Sequence, residues 1–253
     1  MGRLHQAAVR GADVVGGGTG LEPQHLVGLG TAHWSAGAGR GRGAPGSETT
    51  EAAGLGAFCI VDPAPHQRAQ QEPHGLGHAI WCARAFIGDD PFAILLPDDL
   101  VLAEKPCIQQ LAEAYAQTGG CVVAVVEVPR DQTNRYGILA TGRDDGRLVE
   151  VKGLVEKPAP KDAPSNLSII GRYVLLPEVI GHLARMERGA GNEVQLTDAM
   201  AKLIGHVPFH GLRYEGHRFD CGDKIGFLEA QIAYALKRPE MAQAVRSFLK
   251  NYA

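Results

Sequence analysis

The sequence predicts an α/β fold: a mostly parallel sheet flanked by helices. Three observations point to it. From about Phe58 onward, short apolar runs alternate with segments of helical period. Residues 121–128 are almost all Val, as a strand buried on both faces should be. The chain has 253 residues, 45% of them hydrophobic, enough to enclose a sizeable core.

The elements follow in order. Residues 1–56 are crowded with Gly, Ala, Arg and His and show no period of two or 3.6 residues. They read as an atypical, disordered segment, and residues 57–253 as the folded domain. Gly16-Gly17-Gly18-Thr19-Gly20 has the composition of a phosphate loop, but the strand before it is too short and too polar. Residues 75–86 form a helix with Leu76, Ala79, Ile80 and Ala83 on one face. Residues 92–96 are a buried strand. A helix over 106–117 starts on Pro106 and stops at Gly119-Gly120. Residues 136–140 and 148–155 are strands around the turn Asp144-Asp145-Gly146. Residues 167–175 are a further strand, and Pro177 opens a helix to about Glu187. Residues 195–204 are helical, and 207–214 and 217–221 are short strands. Helices over 223–236 and 239–252 close the chain. In the first, Phe227, Ala230, Ile232 and Leu236 recur at helical spacing, fit for internal packing or a subunit contact.

Bulk properties exclude several classes. A net charge of -3 offers no polyanion-binding surface, so no nucleic-acid partner is expected. The five cysteines are scattered without a C-x-x-C pair, against a zinc site or a disulfide framework. They read as reduced thiols in a cytoplasmic protein. No apolar run reaches the ~18 residues of a membrane span, and the N-terminus has no signal-peptide core.

The chemistry concentrates at strand ends. The apolar run ending in Leu95-Leu96-Pro97-Asp98-Asp99 delivers two carboxylates beyond a strand's carboxyl end, where ligands of open α/β sheets bind. Carboxylates there suit a hard cation such as Mg2+ together with a substrate phosphate, although Asp is also common in capped turns. Gln70 precedes Gly75-Leu76-Gly77-His78-Ala79. Its amide suits the edge of a uracil, and the glycines permit close backbone approach at a helix start, or simply mark an ordinary turn before a helix. Val155-Glu156-Lys157-Pro158 offers a carboxylate for sugar hydroxyls and a cation for a phosphate, or simply an exposed ion pair. In Phe219-Asp220-Cys221-Gly222-Asp223, Asp223 reads as a helix N-cap and Asp220 as a second metal carboxylate. Gly137 and Gly171 are candidate backbone contacts to a sugar. Glu193 is a candidate hydroxyl acceptor or a helix-start residue.

In this order, seven strings resemble the bacterial UTP–glucose-1-phosphate uridylyltransferase family. They are Gly75-Leu76-Gly77-His78-Ala79, Leu95-Leu96-Pro97-Asp98-Asp99, Asn134-Arg135-Tyr136-Gly137-Ile138-Leu139, Val155-Glu156-Lys157-Pro158, Gly171-Arg172-Tyr173, Glu193-Val194-Gln195-Leu196-Thr197-Asp198 and Asp220-Cys221-Gly222. The match runs from about residue 70 to 250. The resemblance implies a Rossmann-like nucleotidyltransferase fold. It implies a Mg2+-dependent reaction of UTP with glucose 1-phosphate, giving UDP-glucose and pyrophosphate. By the same resemblance Gln70 and Gly75 bind uracil, Asp98 and Asp220 hold the metal, and Glu156 holds glucose hydroxyls. Lys157 neutralises the sugar phosphate, and Gly137 and Gly171 line the sugar pocket. A homo-oligomer is expected by analogy.

The resemblance stops before residue 57. That family opens with an apolar strand, a Gly-x-Gly-Thr-Arg loop and a Pro-Lys pair that cradle the triphosphate. Here Gly20 follows Thr19, and the first lysine is Lys105. The N-terminal segment therefore reads as the product of a frameshift or a misplaced start. Two rival expectations follow: a related enzyme using dTTP, whose base presents the same edge, or an inactive remnant lacking the triphosphate loop.

Overall fold

A computed structural model describes strands Gly30–Ser35 (β1) and Gly56–Cys59 (β2) and residues 74–252 of the chain. The first of these strands lies within the segment that carries no periodic signal. The Gly16–Gly20 run and Gln70 lie outside the described residues.

The helix expected at 75–86 is two pieces, Leu76–Cys82 (α1) and Arg84–Ile87 (α2), meeting at Ala83. Phe92–Leu95 (β3) follows, then a strand the sequence does not announce, Asp99–Leu102 (β4). Next come Cys107–Thr118 (α3), Cys121–Glu127 (β5), Gly137–Asp144 (β6), Leu148–Glu156 (β7) and Leu167–Leu175 (β8). The helix after Pro177 is short, Glu178–Leu183 (α4), and Leu196–Ala201 (α5) follows. Phe209–Arg213 (β9), His217–Asp220 (β10), Lys224–Lys237 (α6) and Pro239–Leu249 (α7) complete the chain.

Eight strands form one sheet in the order β2-β1-β3-β8-β5-β9-β7-β6. The expectation of a mostly parallel sheet is corrected here. β9 runs parallel to β5, but β8 is antiparallel to both β3 and β5, and the outer pairs are antiparallel. β3, β5 and β9 thus share one direction and β8 opposes it. Burial on both faces makes a strand apolar whichever way it runs, so composition cannot report direction. β8 is buried along its whole length.

Period two sorts side chains to the two faces. Val123 and Val125 join Ile94, Ile169 and Tyr173 against α1, α4 and α5, through Ile80, Leu183 and Met200. Val122 and Ala124 join Ala93, Ile170 and Val174 against α3, through Leu111 and Ala114. The four cysteines of residues 74–252 are free thiols, and burial pushes Cys107 and Cys121 up to about 12. On α6, Ala230 is buried, whereas Ile225, Phe227 and Leu228 are more than half exposed. Among the described residues, no helix is long and apolar enough to cross a membrane.

The remaining two strands, β4 and β10, pair antiparallel in a small separate sheet. This ribbon is what brings the two acidic motifs together.

Candidate active site

Strand β3 ends at Leu95, and the chain turns through Asp98 directly into β4. In the β4–β10 ladder, Asp99 is the register partner of Asp220. The Cys221 amide donates to the Asp98 carbonyl at 2.6 Å, extending the pairing to Asp98. Asp98, Asp99 and Asp220 therefore converge at one rim of a cavity of about 400 Å³. The resemblance, which assigns Asp98 and Asp220 to one metal ion, requires them to lie near each other, and both line this cavity.

The three carboxylates are not equivalent. Asp99 is buried and fully engaged: Oδ2 accepts from the Gly171 amide at 2.9 Å, and Oδ1 accepts from the Arg218 guanidinium. Asp220 Oδ2 accepts from the Tyr136 hydroxyl at 3.1 Å and meets Arg135 at 3.5 Å and Arg218 at 3.6 Å. Asp98 makes no salt bridge among the described residues. Burial, followed by the nearby Asp99 and Asp220 charges, raises its pKa above the ordinary aspartate value. Burial pulls Arg218 down, but the hydrogen bond and charge of Asp99 raise it above the usual arginine value.

In the same lining, β7 ends at Glu156 and the chain turns sharply. Lys157 takes a left-handed conformation, φ 48°, and its amide donates to the Tyr136 carbonyl at 3.0 Å. That turn aims the ammonium along the cavity wall, 3.6 Å from Glu156 Oε1 and half exposed. Glu156 Oε2 accepts from the Thr197 hydroxyl at 2.7 Å, fixing the carboxylate from α5.

Of the residues the motifs single out, Asp98, Gly137, Glu156, Lys157, Gly171 and Asp220 all line this cavity. Gly171 lines the cavity with its backbone already engaged. Its amide is committed to Asp99, and its carbonyl accepts from the Leu96 amide at 2.8 Å and from Arg172 at 2.7 Å. A Cβ there would lie 2.6 Å from Leu96 Cβ, so the position requires glycine for packing. Gly75 precedes α1 and packs against Glu193 and Val194, outside the lining. Glu193 is exposed and also outside it, its carboxylate accepting from Gln195 at 3.2 Å. Gln70 lies outside the described residues.

A divalent cation is implied by this kind of fold, and the donor set fits one. Asp98 and Asp220 could supply oxygen ligands, and a cation there would relieve the charge that Asp99 and Asp220 press on Asp98. Among the described residues no three His, Cys, Asp or Glu side chains are grouped to hold a metal alone. Two carboxylates leave further positions open to other oxygen ligands, as hard divalent cations require.

Residues 51–236 match the family described as Nucleotidyl transferase. The chain belongs to that family. The nucleotidyl transferase is 73% identical over 151 residues to the UTP–glucose-1-phosphate uridylyltransferase of Komagataeibacter xylinus, covering 60% of this chain and 53% of that protein. It is 48% identical over 182 residues to the one of Staphylococcus epidermidis, covering 72% of this chain and 63% of the relative. Among solved structures it resembles a UDP-glucose pyrophosphorylase complexed with UDP-glucose, with TM-score 0.63 and 37% identity over 67% of this chain and 65% of that one. It also resembles a UTP-bound enzyme of the same kind from Acinetobacter baumannii, with TM-score 0.63 and 35% identity over 70% of this chain and 62% of that one. The chain thus spans 53% to 63% of the length of these two curated relatives.

Four residues of the nucleotidyl transferase site escape motif reading as individuals: Asp99, Arg135, Thr197 and Arg218. Arg218 had a usable signal. It stands two residues before Asp220 in a strand, hence on the same face, where an arginine beside a carboxylate marks an ion pair.

Proposed function

We propose that this chain is the body of a UTP–glucose-1-phosphate uridylyltransferase, which forms UDP-glucose and pyrophosphate from UTP and glucose 1-phosphate. The observation that carries the reading is a single cavity. It holds two strand-end carboxylates, Asp98 and Asp220, and the Glu156–Lys157 pair in one lining. The relatives that carry this activity by name support it.

In the proposed reaction a phosphate oxygen of glucose 1-phosphate attacks the α-phosphorus of UTP. A P–O bond forms, the bond to the β-phosphate breaks, and pyrophosphate leaves. The nucleophile is already anionic at neutral pH, so no side chain needs to take a proton. The difficulty is mutual repulsion of two anions, and positioning plus charge compensation answer it. Lys157, aimed by its left-handed turn, meets the hexose phosphate. Glu156, steadied by Thr197, accepts hydrogen bonds from sugar hydroxyls. Asp98 and Asp220 would hold the divalent cation, which when bound neutralises phosphate charge. The buried Asp99–Arg218 pair keeps those carboxylates in register.

The test is pyrophosphate release from UTP and glucose 1-phosphate by the purified chain. Activity should appear with Mg2+, vanish with a chelator and return on metal addition. UDP-glucose should accumulate in equal amount. Absence of turnover and of UTP binding with Mg2+ present would overturn the reading.

A further inference from the structure

Resting on the uridylyltransfer reading, we propose that Arg135 is an exchangeable counter-ion: it occupies Asp220 in the metal-free protein and moves to the nucleotide phosphates when a divalent cation takes its place. Two arginines reach the Asp220 carboxylate, and their surroundings differ. Arg218 is 15% exposed, locked by Asp99 through its Nε and stacked 5.2 Å from the Tyr136 ring centre. It has no freedom to leave.

Arg135 is 53% exposed at the end of a 3-10 turn, Arg130–Arg135, immediately before β6. Its guanidinium sits 3.5 Å from Asp220 Oδ2, with no second carboxylate in its ion pairs among the described residues, and 5.5 Å from the Tyr136 ring centre. It lines the same cavity as Asp98, Asp220 and Lys157. An exposed pair of this kind is weak, so a doubly charged ion outcompetes it at Asp220. The released guanidinium remains at the acidic rim, where phosphates drawn to a cation must lie. Its fork of donors matches phosphate oxygens. Lys157 and Arg135 then line one cavity as two cations, one for each phosphate-bearing substrate.

The exchange gives the substitution Arg135→Ala two opposite effects, which a purely structural role does not. Mn2+ alone, followed by its electron paramagnetic resonance signal, should bind Arg135→Ala about fivefold more tightly, because a competing cation is gone. UTP in the presence of Mn2+, followed calorimetrically, should bind at least about tenfold more weakly, the scale of a charge-assisted contact. Arg135→Lys should restore part of the UTP affinity. Affinities that move together, or a Mn2+ affinity indifferent to the substitution, would overturn the exchange and leave the uridylyltransfer reading standing. Unaltered chain that binds Mn2+ but not UTP would overturn that reading and the phosphate half of this proposal with it.

Discussion

Asp99 and Asp220 face each other across the β4–β10 ladder, and the Arg218 guanidinium spans both carboxylates from the same face of β10. Arg218 and Asp99 are 15% and 12% exposed, so this is a buried pair. Removing one partner strands the other charge. Arg218→Met should lower stability by about 3 kcal/mol, the low end for a broken buried pair. Urea denaturation checks it. Adding Asp99→Asn, which keeps an acceptor for the Gly171 amide, should recover part of the loss.

Asp98→Asn should lower turnover about 100-fold, the scale of losing one principal electrostatic stabiliser. The same change relieves crowding among three carboxylates, so the melting temperature should hold or rise. Turnover and thermal denaturation measured on one preparation separate the two effects. Near-normal turnover would remove Asp98 from the metal role.

Gly171→Ala tests the packing beneath the site. The added methyl would lie 2.6 Å from Leu96 Cβ and 3.0 Å from Asp99 Oδ2, with β3 and β8 paired on either side of the clash. Overpacking of this kind costs about 1–3 kcal/mol. The denaturation midpoint should fall, and an unchanged midpoint would mean the two strands part more readily than their pairing implies.

Lys157→Gly should separate stability from affinity. Left-handed backbone at a residue with a Cβ costs roughly 1 kcal/mol, which glycine relieves. Stability should therefore not drop. The KM for glucose 1-phosphate should rise about tenfold or more as the charged contact disappears.

Local signals carried much of this fold. The run Leu167–Leu175 reads as a strand with the same ends in the structure, because every position but Arg172 is apolar or small and Pro177 closes it. Asp223 caps α6 as its sequence position suggests, accepting from the amides of Ile225 and Gly226. Nonlocal features were not legible. Strand β4 is four residues long and begins on Asp99; it is a strand only because β10, more than a hundred residues later, pairs with it. The direction of β8 was lost for the reason given by its burial. The helix after Pro177 stops at Leu183 instead of reaching Glu187, with Met186 turning left-handed at φ 51°. At the site, residue types announced Asp98, Asp220, Glu156 and Lys157. That Asp99 pairs with Arg218 was not legible, since the two meet only through the β4–β10 ladder.

Strand β10 runs straight into α6, and the two are jammed together: a Cβ on Gly226 would lie 2.1 Å from the Asp220 carbonyl oxygen. The closing helices contribute no side chain to the cavity, yet they are the buttress against which Asp220 is braced. The acidic rim is thus only as steady as the seat of α6 on β10, and any side chain at position 226 would unseat it.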